Sequence, residues 1–324
     1  LDRVLGGGLV SGSALLIGGD PGIGKSTLLL QVVDKMSSQD EHCLYISGEE
    51  SAEQIKLRAD RLGIRNPSVR LACGILLRDM IAMLSVSNPP SLVIIDSIQT
   101  IYHDEISSAP GTVTQVRSCA FELIQVAKKK NITLIFVGHV TKDGQLAGPK
   151  VLEHMVDAVL YFEGENGNSF RIVRAVKNRF GAAGEIGVFE MSDAGLSEVM
   201  NPSSLFLSDR NSDVSGVSVF AGMEGTRPIL IEVQALIVPT FMASPRRSAI
   251  GWDNNRLAML IAVLNSRCGL NLLDKEVYLN FTGGIRVQEP AADMAVVSAL
   301  ISAALDKPID RGSVFFGEIG LSGE

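Results

Sequence analysis

Residues 19–26 read Gly-Asp-Pro-Gly-Ile-Gly-Lys-Ser, and this spacing constrains the fold more than any other stretch of the chain. It fits the pattern G-x-x-x-x-G-K-[ST]. Upstream, residues 14–18 are a short apolar run of strand length, and downstream residues 27–33 open a helical pattern. A strand, a glycine-rich turn and a helix in that order make the first unit of a parallel sheet. Glycine lets backbone N–H groups approach phosphate oxygens with no side chain in the way. The helix N-terminus adds unpaired N–H groups and the positive end of a dipole. The stretch therefore predicts a phosphate cradle built from Gly19, Asp20, Pro21, Gly22, Ile23, Gly24, Lys25, Ser26 and Thr27. Lys25 would reach the β and γ phosphates of ATP, and the Ser26 hydroxyl would hold Mg²⁺.

The chain has 324 residues, enough for two domains of ordinary size. Apolar residues make up 46% of it and aromatic residues only 5%, so the cores are expected to be aliphatic. No apolar run approaches the ~20 residues of a membrane span. The sequence begins at Leu1 without a signal-peptide pattern and reads as an excised fragment. Its four cysteines form no C-x-x-C pair, which predicts buried free thiols in a reducing cytoplasm. The net charge of −7 argues against non-specific nucleic-acid binding. Local basic clusters at 128–130, 171–179 and 246–247 leave room for polyanion contact in a lined channel, although the 128–130 run reads equally as solvated surface.

Further strands are expected at residues 43–47, 70–73, 92–95 and 132–137, alternating with helices at 51–63, 76–84 and 115–130. Ser51 and Gln54 have the spacing of a capping box. Residues 157–162 and 171–176 read as paired antiparallel strands. This predicts a mostly parallel sheet with helices on both faces and an antiparallel extension at one edge. Residues 191–202 read as a polar connector. A second α+β domain follows, with strands near 217–220, 229–238 and 277–281 and helices near 254–265 and 291–305. The expected division is 1–189 and 190–324.

A phosphate cradle becomes a hydrolase when it gains a metal ligand and a group that positions water. Asp96 ends the apolar run 92–95, where its carboxylate would meet Ser26 across the metal. Glu49 and Glu50 follow the strand at 43–47. Glu49, nearer the strand end, is the preferred water activator, while Glu50 would favour the N-terminus of the next helix. His139 ends the strand at 132–137. It reads either as a γ-phosphate sensor or as an ordinary loop histidine.

Four stretches together resemble the bacterial RadA (Sms) family: residues 1–8 (Leu-Asp-Arg-Val-Leu-Gly-Gly-Gly), residues 18–27, residues 47–51 (Ser-Gly-Glu-Glu-Ser) and residues 177–181 (Lys-Asn-Arg-Phe-Gly). The resemblance spans essentially the whole chain. It implies a RecA-like P-loop ATPase core of the DnaB-like helicase kind, followed by a Lon-protease-like domain. It implies that Lys177 and Arg179 are finger residues reaching the γ-phosphate of a neighbouring subunit in a homohexameric ring. Alternate residues on a strand point the same way, so two cations can converge there. It also implies single-stranded and branched DNA as partners, with the recombinase RecA, and no membrane. The loops at 104–113 and 140–150 would face DNA in the channel, with Lys142 and Lys150 as candidate phosphate contacts. A family zinc module would lie before Leu1, and the rest of the second domain beyond Glu324.

Lon proteases carry a serine in G-P-S-A-G. The matching residues here are Glu289, Pro290, Ala291, Ala292 and Asp293, so the nucleophile is replaced by Ala291 and a glycine by Asp293. The expected role of this domain is a scaffold with DNA contacts from Arg246, Arg247, Arg286 and Arg311. Three functions remain from the sequence: a DNA-dependent ATPase and helicase motor for branch migration in recombinational repair, a KaiC-like nucleotide-switched assembly protein, and an ATP-dependent peptidase disfavoured by Ala291.

Overall fold

The structure is a computed structural model that describes residues 1–37, 41–66, 68–139, 150–164, 169–207, 214–240 and 244–324. The chain divides into two compact units, Leu1–Val199 and Met200–Glu324.

The first unit opens with a single helical turn, α1 (Asp2–Leu5), then β1 (Ala14–Gly19) and α2 (Lys25–Ser37). It continues through β2 (Cys43–Ser47), α3 (Ala52–Arg61), β3 (Val69–Cys73), α4 (Leu77–Leu84) and β4 (Leu92–Asp96). Next come α5 (Val113–Lys130), β5 (Thr133–His139), α6 (Lys150–Met155) and β6 (Ala158–Glu163). The strands β7 (Phe170–Asn178), β8 (Ile186–Ser192) and β9 (Gly195–Glu198) complete it. All described strands of this unit form one sheet in the order β3-β2-β4-β5-β1-β6-β7-β8-β9. Pairing is parallel from β3 to β6 and antiparallel from β6 to β9.

Each face of the sheet buries its own aliphatic core, as strand alternation requires. On one face Leu15 and Ile17 of β1 meet Leu29, Leu30 and Val33 of α2 and Ile55 of α3. On the other, Ala14 and Leu16 meet Leu77, Met80 and Leu84 of α4 and Val116, Ala120 and Leu123 of α5. The capping box is present: Ser51 accepts from the Gln54 N–H, and Gln54 accepts from the Ser51 N–H. Leu57 is 70% exposed, and Ile55 alone of α3 is buried.

The first part of the stretch expected to be a polar connector is instead part of the sheet. Residues 191–192 end β8, β9 pairs with it, and the first unit runs to Val199, past the expected boundary at 189. Residues 1–8 and 177–181 are packed together. A Cβ on Gly6 would lie 2.9 Å from Gly181 Cα, and one on Gly181 would lie 2.8 Å from Gly6 Cα. Gly6 also has φ +78, the left-handed cap of α1. Two glycines therefore meet where neither strand nor helix tolerates a side chain.

The second unit contains α7 (Ser203–Phe206), β10 (Val217–Glu224), β11 (Arg227–Pro239), β12 (Arg247–Ile250), α8 (Asn254–Arg267), β13 (Lys275–Phe281) and α9 (Asp293–Leu305). Its sheet runs β10-β11-β13-β12, with β12 parallel to β13 and the other pairs antiparallel. The helix expected from residue 291 begins at Asp293, after a 3₁₀ turn over Pro290–Ala292. Among the described residues, no helix is long and apolar enough to cross a membrane. The cysteines are all free. Cys43 and Cys119 are buried as expected, whereas Cys73 and Cys268 are exposed.

Candidate nucleotide site

Strand register brings the candidate residues to one edge. Gly19 of β1 is level with His139 of β5, and Ser47 of β2 is level with Asp96 of β4. All four lie at the C-terminal ends of parallel strands, where ligands of open α/β sheets bind. The loop between β1 and α2 follows directly. Gly22 has φ +77 and Gly24 φ +118, conformations that a side chain would strain, and no heavy atom lies within 4 Å of a Cβ built on Gly22. That open, N–H-lined concavity fits a chain of phosphates.

Lys25 is buried, and its Nζ donates to the carbonyl oxygens of Gly19 (2.7 Å) and Asp20 (2.8 Å). The ammonium is folded back across the mouth of its own loop. Burial lowers its pKa, and the nearby carboxylates of Asp96, Asp20 and Glu49 oppose that shift. Ser26 Oγ donates to Asp96 Oδ2 at 2.6 Å. A hydroxyl and a carboxylate in contact suit Mg²⁺, a hard cation that takes oxygen ligands and completes its shell with water and phosphate. Among the described residues no group of three His, Cys, Asp or Glu side chains is placed to hold a metal ion, and a nucleotide-held Mg²⁺ requires no such cage.

Glu49 stands beside this pair. Its Oε1 accepts from Ser97 Oγ and lies 3.0 Å from His139 Nε2. Burial pushes the Glu49 carboxyl up. The Ser97 and His139 hydrogen bonds, with the charges of His139 and Lys25, outweigh burial and hold it below its ordinary value. Glu50 pairs with Arg58 of α3. Both acids line the same cleft, but Glu49 is held by Ser97 and His139 whereas Glu50 is tied to a helix cation. The cleft is about 390 Å³, and Lys25, Ser26, Asp96, His139 and Arg58 line it with the two acids.

Two participants were not singled out from the sequence. Tyr45, fully buried in β2, donates its hydroxyl to the Asp96 Oδ2 that Ser26 also uses. Burial first, and then Asp96, raises the phenol pKa well above its usual value, so Tyr45 stays a donor. Ser97, also fully buried, orients Glu49. A phenol inside an apolar strand needs a polar partner, and that requirement is the signal for Tyr45.

Lys177 and Arg179 lie elsewhere. Lys177 pairs with Val159 and Asn178 with Ala158, at the start of β6, whereas Gly19 is level with Phe162 near its end. That separation along β6 is roughly 10–13 Å at ~3.3 Å per residue. Lys177 Nζ donates to the carbonyl oxygens of Glu153 (2.6 Å) and Val156 (2.7 Å), farther still from the cradle. Burial, followed by the charge of Arg179, lowers the Lys177 pKa. Arg179 pairs with Asp157. The two cations are thus on the sheet edge opposite the phosphate loop of their own chain.

With 62% identity, the chain aligns over its full length with 72% of the DNA repair protein RadA of Rickettsia bellii. It is 55% identical to the DNA repair protein RadA of Bacillus subtilis, covering all of this chain and 70% of that one. The chain belongs to the RadA family of DNA repair proteins. A family model described as an AAA domain matches residues 1–145. Among solved structures, a RadB recombinase matches at 22% identity with a TM-score of 0.47, over 61% of this chain and 96% of that one. The resemblance to RadA read from the motifs holds, as does the RecA-like P-loop core with its mostly parallel sheet.

The basic cluster at 171–179 of this RadA-family chain makes contacts within its own chain. Arg171 donates to the phosphate loop, Arg174 pairs with Glu163, Lys177 binds carbonyls and Arg179 binds Asp157. The loop expected to face DNA at 104–113 carries Asp104 and Glu105 and no lysine or arginine. Buried Gln115 shapes it, accepting from the His103 N–H and donating to the carbonyls of His103, Ile106 and Ser108. Lys142 and the rest of 140–149 lie outside the described residues, and Lys150 is described only as the first residue of α6.

In the second unit Arg246 and Arg286 are exposed and Arg247 opens the edge strand β12. Ala291 and Ala292 offer no nucleophile. Asp293 is fully buried, takes a two-pronged contact from Arg256 and accepts from the Ile319 N–H. Ser302 accepts from the Gly216 N–H and donates to the Lys307 carbonyl, so its hydroxyl is occupied structurally.

Proposed function

We propose that this RadA-family chain is a DNA-dependent ATPase and helicase-type motor that acts on single-stranded and branched DNA and promotes branch migration in recombinational repair. The observation that supports the reading is that the phosphate-loop cluster and the Lys177–Arg179 pair lie at opposite ends of the parallel strands of one sheet. The phosphate loop, Ser26, Asp96 and Glu49 form one half of the proposed site. Lys177 and Arg179 form the other half and face away from the first. A site so divided is completed by a second copy, which favours a closed ring, and a homohexamer is our reading of it.

Within the site each residue has a role. Lys25 exchanges its loop carbonyls for the β and γ phosphate oxygens. Ser26 and Asp96 hold Mg²⁺, and Tyr45 fixes the Asp96 carboxylate. Bound Mg²⁺ supplies Lewis-acid stabilisation of phosphate charge. Glu49, held by Ser97, orients the attacking water and takes its proton, and His139 links that carboxylate to the end of β5. Lys177 and Arg179 of the adjacent subunit neutralise charge that develops in the transition state.

The second unit is read as a Lon-protease-like scaffold without peptidase activity, because Ala291 lacks a nucleophilic oxygen. Recombinase RecA is the proposed protein partner. The deciding experiment measures ATP turnover of the full-length protein with and without single-stranded DNA. Stimulation of several-fold or more is expected, and equal rates would remove DNA from the mechanism. A branch-migration assay then separates a motor from a nucleotide-controlled switch, which would hydrolyse ATP without moving a junction.

A further inference from the structure

We infer that Arg171 is a positioning residue for the phosphate loop, acting through the Ile23–Gly24 peptide. Arg171 Nε donates to the Ile23 carbonyl at 3.0 Å, and its Nη1 donates to the Phe170 carbonyl at 2.8 Å. The planar guanidinium thus bridges the backbone of β7 and the loop, a geometry that a lysine ammonium does not reproduce. In a trans peptide the C=O of one residue and the N–H of the next point in opposite directions. Holding the Ile23 carbonyl toward β7 turns the Gly24 N–H to the other side of the loop, the side on which the phosphates are read.

Two further features belong to the same brace. Gly164 makes room for the arginine stem, since a Cβ there would lie 2.8 Å from Arg171 Cδ. Gly24 packs its outer side on the sheet extension, where a Cβ would meet Met191 Cε at 2.6 Å. The antiparallel strands β7 and β8 therefore support the loop from outside by one polar and one apolar contact. Its contacts to Ile23 and Phe170 are both to backbone carbonyls. Its effect is on the direction of a backbone donor.

This inference rests on the reading of residues 19–27 as a nucleotide site, and its test separates the two. Full-length wild type, Arg171→Met and Arg171→Lys are titrated with ADP in the presence of Mg²⁺ by calorimetry and assayed for ATP turnover. Arg171→Met is expected to weaken ADP binding about tenfold, the order of one hydrogen bond from a charged group. KM for ATP should rise in step, with a smaller fall in kcat, the pattern of lost uniform binding. The melting temperature without nucleotide should change by no more than about 2 °C. Arg171→Lys keeps the charge and loses the fork, so it should recover less than half of the affinity. Unchanged ADP affinity in Arg171→Met, or full recovery in Arg171→Lys, overturns the inference and leaves the nucleotide site standing. Wild-type protein that binds no ADP overturns both. Should Arg171→Met fail to fold, Arg171→Lys decides by the same measurement.

Discussion

Arg179 Nη1 lies 2.9 Å from Asp157 Oδ1, and the two differ sharply in environment: the arginine side chain is 56% exposed and the carboxylate 8%. A buried acid thus holds an exposed cation by one edge of its guanidinium, leaving the rest of the fork directed outward. The other carboxylate oxygen accepts from the Ala14 N–H at 3.0 Å and lies 3.8 Å from Lys128 Nζ. Asp157→Asn keeps the volume and an acceptor for Ala14 but removes the charge. If Arg179 acts as the proposed finger, turnover should fall by tenfold or more, because the guanidinium loses its orientation. ADP affinity should stay within about twofold, because the cradle is at the opposite edge. Denaturant melts should show a loss of about 1–3 kcal/mol. A parallel loss of ADP affinity would place Asp157 in the wrong half of the site.

The Glu49 carboxyl sits below its ordinary value of 4.5, held down by Ser97, His139 and Lys25 against the upward push of burial. A folded-state value below the unfolded one adds stability that is present above the unfolded value and lost as pH falls through the folded one. Hydrolysis that needs ionised Glu49 should follow the same direction, with its acid limb below pH 4.5. His139→Ala removes one hydrogen bond and one charge, so the limb should move toward higher pH. The pH–rate profile of kcat for the two proteins is the measurement. A limb that stays in place would mean that His139 does not act on Glu49. Glu49→Gln should lower kcat by about 10²-fold or more while ADP still binds.

Tyr45 and Ser26 share one oxygen of Asp96. In Tyr45→Phe the carboxylate keeps its Ser26 contact and loses the donor that fixes it from inside the sheet. A few-fold rise in the Mg²⁺ concentration for half-maximal turnover is expected, with a stability cost of about 1 kcal/mol. Titration of turnover with Mg²⁺ at saturating ATP reads the first and thermal melts the second. An unchanged Mg²⁺ requirement would confine Tyr45 to packing.

What the sequence made legible follows from how local each signal is. β4 is a run of buried apolar residues closed by Asp96, and the Ser51–Gln54 capping box is written within four positions. The edge elements carried no such signal. β12 has no buried residue at all, so alternation cannot mark it, and β9 spans only Gly195–Glu198. Leu57 is apolar by type yet exposed, because two positions from Ile55 it lies on nearly the opposite face of α3. The adjacent acids Glu49 and Glu50 were divided by a partner on α3, Arg58, and that pairing is a tertiary fact. Arg171 reached Ile23 across 148 positions of sequence, so its basic cluster read as a local polyanion contact rather than a brace for the loop. The candidate catalytic groups were found because strand ends are legible, and their supporting partners were missed because contacts between strands are not.

The second unit offers a test of what its buried acid Asp293 does. Asp293 opens α9 fully buried, and Arg256 of α8 meets both of its oxygens while the Ile319 N–H donates to one of them. The pair raises the Arg256 pKa, chiefly through the Asp293 hydrogen bonds, so the guanidinium stays charged throughout. Arg256 also lies 3.2 Å from Glu318, which ties the same cation to the segment after α9. Removing Asp293 leaves a partly exposed Arg256 still beside Glu318, so the cost is that of the lost charged hydrogen bonds, about 2–3 kcal/mol. Asp293→Ala should therefore destabilise by that amount, whereas Arg256→Met with Asp293→Leu, which removes both charges, should recover much of the loss. Chemical denaturation of the three proteins reads the difference. Nucleotide affinity of the folded Asp293→Ala protein should match wild type, because this network lies wholly within residues 200–324 and shares no residue with the cradle. Equal stability of Asp293→Ala and wild type would mean that the acid at this position has no part in holding α8 to α9.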